Sequence, residues 1–304
     1  CKRPCRRSVR RSAEQERALL AAMPAVFVLI WSTGFVVARY GMPHAPPLGF
    51  LALRYALSVL AFGLWIAFVR AAWPQGRRQW GHLAVTGVLM HAGYLGGVWA
   101  AVKSGIGAGT VALIVGLQPV LTALWLSWTQ GAHSIERRQW LGLLLGFGGL
   151  MLVVGHKLGV GEVTGFNLGL GVFALLSITV GTLYQKRFVE PCDVRTANAV
   201  QLAAAFVVTL PLALLERGAW NLHPELLGAM AWSVLVLTLG GSSMFYLLIQ
   251  RGAAAKVTSL LYLVPPCTAV LAWLLFNEPL SPQVLAGIAL TAAGVALVVR
   301  APAS

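Results

Sequence analysis

Arg54 stands inside the apolar run Leu48–Val69, about seven residues from its start, which is roughly 10 Å of helix at 1.5 Å per residue. A guanidinium at that depth in an apolar segment is costly, so it must face protein, water or a counter-charge. It suits an anionic group such as a substrate carboxylate. The alternative is a structural role, bonded to helix-end carbonyls or reaching outward. His91 and Tyr94 lie three residues apart in another apolar run, with Trp99 further along. Three-residue spacing places two helical side chains on one side, which makes His91 and Tyr94 candidates to line a cavity. Trp99 suits the same wall or an anchor at the membrane interface. Gln118 precedes Pro119, and Tyr262 stands shortly before Pro265 and Pro266. A proline inside a helix lacks an N–H and clashes with the turn before it, so both motifs predict kinks that free a carbonyl. Trp31, Tyr184 and Tyr246 complete the candidate substrate path. The neighbouring Ser32, Thr33, Ser242 and Ser243 serve equally well to satisfy local backbone. With Arg54 toward one side, the expected cavity is walled by spans 1, 3, 4, 6, 8 and 9.

Other chemistry is missing from the pattern. None of the nine Asp and Glu residues falls well inside an apolar run, so no buried carboxylate relay is expected. Proton coupling would have to use His91, an end-located carboxylate such as Glu278, or the substrate. No phosphate-binding loop is present. The four cysteines, Cys1, Cys5, Cys192 and Cys267, form no CxxC pair. No catalytic residue, cofactor or metal site is expected, and the chain does not read as an enzyme.

These residues need elements to hold them, and composition says which. Of 304 residues 58% are hydrophobic and only 11% charged, with a mean hydropathy of +0.77. A soluble globule carries about 25% charge. Crossing the hydrocarbon core takes about 20 mainly apolar residues, and many stretches qualify. After a basic tail over 1–17, ten spans are predicted: 18–40, 48–69, 80–102, 108–128, 139–155, 168–185, 197–215, 226–249, 254–276 and 283–299. The net charge of +14 does not point to nucleic acid, because the basic residues cluster in the tail and in turns. With the N-terminus inside, eighteen of the 23 Lys and Arg fall on the inner side and four on the outer, Arg54 being within a span. That bias predicts both termini in the cytoplasm.

One stretch occurs twice. Val88–Pro119 aligns without a gap on Leu235–Pro266, matching Gly93 to Gly240, Trp99 to Tyr246, Gly105 to Gly252 and Pro119 to Pro266. Five spans separate each residue from its counterpart. Five is odd, so the second copy enters the membrane from the opposite face. The fold expected is an all-α polytopic membrane protein of ten transmembrane helices in two inverted five-helix repeats, 18–157 and 167–300, joined by a link over 158–166. Such a pair has two mirror-related states, which is what alternating access requires.

At WSTGFVVARYG, PLGFLALRYALS, AGTVALIVGLQPVLTAL and VTSLLYLVPPCTAVLAWLLFNEPLSPQVLAGIALTAAGVALVV, the chain resembles the drug/metabolite transporter superfamily, EamA type. The resemblance covers nearly everything from the first span onward. It implies a ten-helix carrier of small metabolites in the bacterial inner membrane, often an exporter and in some members an amino-acid exporter. Two departures stand out. WSTGF replaces the usual Trp-Gly-x-Asn-Phe, and QGAHSIE stands in the first half where the second has NEPLS, leaving Glu278 without an acidic counterpart. The expected function is export of small, partly apolar metabolites, amino acids foremost, with the lipid bilayer as the other partner and no nucleic acid. A lipid-modifying membrane enzyme would need a polar catalytic cluster near one surface, and a channel would make less use of inverted halves.

Overall fold

The computed structural model describes residues 26–129, 137–159, 161–250 and 263–299. These are helical: α1 (Val26–Gly41), α2 (Pro47–Val69), α3 (Arg77–Lys103), α4 (Ala108–Val115), α5 (Gln118–Thr129), α6 (Arg137–Gly159), α7 (Gly165–Phe188), α8 (Val194–Leu215), α9 (Pro224–Trp232, continuing through Ser233–Ser242 and Ser243–Gln250), α10 (Val264–Phe276) and α11 (Pro282–Val299). Among the described residues six helices are long and apolar enough to cross a membrane, and four shorter apolar helices accompany them. The outward faces carry Leu64, Phe68, Leu144, Phe166 and Leu274, all well exposed. Water would not tolerate that coat, and lipid does. The chain is an all-α, multi-pass membrane protein. The basic tail, Tyr262 and the stretch around Gly252 lie outside the described residues.

Local sequence explains the helix ends. Thr164 and Asn167 form a reciprocal capping box that starts α7, three residues before the predicted Leu168. Asp193 caps α8 by accepting from the Arg195 amide, and the Arg195 guanidinium holds its carboxyl below the usual carboxylate range. The single helix predicted over 108–128 is instead two, because a turn at Gly116 and Leu117 separates α4 from α5. Pro119 is the second residue of α5, and Pro265 and Pro266 open α10. All three sit in a first turn, where a missing N–H costs nothing. The predicted kink at Pro119 is therefore a helix start; the residues before Leu263, which decide the same for Pro265 and Pro266, lie outside the described ones.

α3 and α9 each contain a stretch of π-helix, Val88–Gly93 and Ser233–Ser242. The two overlap in the repeat register that pairs Gly93 with Gly240. Helix boundaries keep that register too. α1 ends at Gly41 and α7 at Phe188; α2 starts at Pro47 and α8 at Val194; α3 starts at Arg77 and α9 at Pro224; α5 ends at Thr129 and α10 at Phe276.

Helices of equal rank pack on each other: α2 on α8, α4 on α10, and α6 on α11. The α6–α11 contact is backbone against backbone, since a Cβ on Gly149 would fall 2.5 Å from the Gly287 carbonyl oxygen. α4 presses Gly116 under Pro265 and Gly109 against Ala269. Connections meet pairwise at the bundle ends. The Asn221 amide donates to the His44 carbonyl at one end, and the Gln79 side chain exchanges bonds with the Glu190 backbone at the other.

Candidate functional site

A cavity lies within the bundle, walled by α1, α2, α3, α7, α8 and α9. Trp31, Arg54, His91, Tyr94, Trp99 and Tyr246 all line it. Two other sequence candidates, Gln118 and Tyr184, lie elsewhere. Gln118 is buried and donates to the Thr182 hydroxyl at 3.0 Å, joining α5 to α7. Tyr184 turns to His82, with its hydroxyl 2.8 Å from Nδ1, and packs on Phe188. The wall also differs from expectation, since α4 and α10, from spans 4 and 9, contribute no lining residue among those described. Their inner faces are used on each other.

The cavity is lined by aromatic and by amide side chains. Trp31 lies parallel to Tyr94 with centroids 6.4 Å apart and packs on Phe245 at 5.0 Å. Trp99 is 1% exposed and stacks on Phe50 at 4.4 Å. Gln185, Asn198 and Gln201 also line the cavity, and sequence reasoning missed them. Their signal was available: each is an amide side chain in or at the end of an apolar run. Such groups are costly in a membrane unless they face protein or a cavity.

Arg54 is 3% exposed. Its Nε and Nη2 both donate to the Thr238 hydroxyl, at 3.2 and 3.1 Å, and that hydroxyl donates to the Ser233 carbonyl five residues back along the π segment. Nη1 has no hydrogen-bond partner in the structure, and no carboxylate lines the cavity among the described residues. The Gln185 amide nitrogen is likewise buried and unpartnered. His91 and Gln201 both line the cavity, and the His91 carbonyl, in the widened π turn, accepts from the Tyr55 hydroxyl at 2.8 Å. The unmet groups are donors, one of them cationic. A buried charge without a partner is strongly unfavourable, so the cavity is chemically incomplete without an acceptor.

Two stretches, residues 18–155 and 166–300, match the model of the EamA-like transporter family. The chain belongs to the EamA-like transporter family. It is a membrane transporter, as family members are, and not an enzyme. Relatives align over most of their length. The uncharacterized transporter YvbV of Bacillus subtilis is 26% identical over 289 residues, covering 91% of this chain and 90% of that protein. A probable amino-acid metabolite efflux pump of Salmonella typhimurium is 24% identical, covering 88% and 90%. The uncharacterized inner membrane transporter YedA of Escherichia coli is 27% identical, covering 87% and 86%. A crystal structure superposes with a TM-score of 0.67 at 18% identity, covering 90% of this chain and 94% of that one, which establishes a shared fold.

Proposed function

We propose that the chain is a secondary transporter that exports small, partly apolar carboxylates, amino acids foremost, from the cytoplasm across a bacterial inner membrane. The observation that carries this reading is the unpartnered Nη1 of buried Arg54 in a cavity without a carboxylate of its own. A substrate carboxylate supplies the acceptor. The faces of Trp31 and Tyr94 suit an apolar side chain, and aromatic faces also attract an ammonium. The relative named an amino-acid metabolite efflux pump adds weight to this substrate class and to outward direction; the relative named an inner membrane transporter supports the location.

Alternating access is proposed through ten spans in two inverted halves, 18–157 and 167–300. Support comes from the gap-free register of the helix ends, the packing of α2, α4 and α6 on partners of equal rank, and the pairwise meeting of connections at each end. The charge bias supports a cytoplasmic location for both termini. A proton gradient is the coupling source to test first.

The test is transport of labelled leucine and of its decarboxylated amine in proteoliposomes, with and without a pH gradient, for wild type, Arg54→Lys and Arg54→Gln. Lysine keeps the charge and loses the planar fork; glutamine loses the charge. Leucine transport is expected to fall at least about tenfold in Arg54→Gln, the worth of a charge-assisted hydrogen bond, and less in Arg54→Lys. The amine should respond weakly to either. Equal losses for leucine and the amine, at normal membrane abundance, would make Arg54 a structural residue.

A further inference from the structure

We infer that the connections at one end of the bundle form a zinc site. His44 lies between α1 and α2; His223 and Glu225 lie where the connection after α8 enters α9. One ligand atom from each of the three falls within 4.8 Å of the others. No sequence spacing announces this group, because the fold brings together residues from opposite halves of the repeat.

The geometry suits a borderline divalent ion. His44 Nε2 is 2.9 Å from Glu225 Oε2, and His223 Nδ1 is 3.7 Å from the same oxygen. Ligands about 2.0–2.1 Å from zinc in a tetrahedron are about 3.4 Å apart, between those two values. The ion takes the place of the hydrogen bond between His44 and Glu225. Two imidazoles and a carboxylate are a nitrogen and oxygen set that zinc favours, with solvent as the fourth ligand. The imidazoles now stack, with centroids 4.5 Å apart and planes 10° apart. A ring lone pair lies in its plane, so the His223 ring must turn to reach the ion. It is free to, with its side chain 46% exposed. His44, 13% exposed, is the fixed ligand. Turning releases the Glu225 amide from His223 Nδ1, at a helix start where water can replace it.

The bound ion ties the two connections together across the halves, beyond the backbone bond from Asn221 to His44. Zinc at this end therefore slows any motion that parts them. This consequence rests on the transporter reading; the site itself does not.

Cobalt, whose tetrahedral complexes absorb in the visible, reads the site directly in the purified full chain. Wild type is expected to show tetrahedral bands on titration. His44→Ala, His223→Ala and Glu225→Gln should each weaken binding at least about tenfold, and His156→Ala should not. Affinity should fall at acid pH, because the imidazoles must be neutral to bind. Absence of tetrahedral bands, or unchanged affinity in His223→Ala and Glu225→Gln, would overturn the site. In proteoliposomes, zinc should slow wild-type transport, chelator should restore it, and His223→Ala should be insensitive while transporting normally in chelator. Zinc that binds without slowing transport would overturn the cross-half tie. If leucine is not transported at all, the substrate reading fails while the cobalt titration still decides the metal site.

Discussion

Carried upstream in the register that pairs Gly93 with Gly240, Arg54 answers to Gln201, and His91 answers to Thr238. The structure brings these four positions together crosswise: Arg54 bonds to Thr238, and Gln201 lines the cavity with His91. In both cases α2 or α8 packs on the π segment of the other half's α9 or α3. The backbone of the two sites is alike, and their chemistry is not. One carries a fixed cation on a single hydroxyl. The other sets an amide and an imidazole on the cavity wall, with the further amides Gln185 and Asn198. Shared scaffold can serve movement, which needs two states of similar energy, while unlike side chains give the cavity a direction in which a bound molecule must lie.

The sharpest way to break this likeness is at the backbone. A Cβ on Gly87 would run into the carbonyl oxygen of Gln201, on the neighbouring α8. The equivalent position in the other half is Val234, which is buried there without difficulty. Gly87→Ala is expected to cost about 3 kcal/mol or more through forced backbone displacement, seen as loss of monodisperse protein in detergent. Val234→Gly should leave the protein folded. A well-folded Gly87→Ala would mean that α3 and α8 pack less tightly than this.

Smaller effects test the crosswise pairs. Thr238→Val strands two donors of a buried guanidinium, and about 1–3 kcal/mol of stability should be lost. His91→Leu strands no charge and should cost less, seen as a smaller shift in thermal midpoint. An equal or reversed order would remove the distinction between a charged and a neutral site. The mildest comparison is Gly93→Ala against Gly240→Ala. A Cβ at 93 would lie 2.8 Å from Ser177 Oγ, whereas nothing lies within 4 Å of one at 240. The first should destabilise by about 1 kcal/mol as the serine gives way, and the second should be neutral or stabilising by up to about 1 kcal/mol.

Span positions were legible because apolar length is a direct signal in a membrane protein. Arg54, His91 and Tyr94 were legible as polar or amphipathic groups in apolar runs. Rotation about each helix axis was not. Lipid is as apolar as a packed interior, so lining and lipid-facing sides do not separate by hydrophobicity as they do in a soluble helix. Tyr184 and Gln185 show the result. One residue is about 100° of turn, and the aromatic candidate faces His82 while the adjacent amide faces the cavity. Pro119 misled for a related reason: a proline marks either a kink or a beginning, and the turn at Gly116 and Leu117 that decides between them carries no polar residue.

The π turns set an unusual rule for chain length. A π turn is an α-helix with one residue too many for its rise. Winding the same residues of Val88–Gly93 as regular α-helix would rotate everything after them, Tyr94 to Lys103, by about 100° against the preceding half. Trp99 would leave Phe50, and Tyr94 would leave Trp31. A change that regularises the winding at constant length would thus dismantle the aromatic side of the cavity, whereas deleting one residue within the π turn should leave Tyr94 and Trp99 facing as they do, so the wide turn is what lets this helix carry a surplus residue without turning its far half.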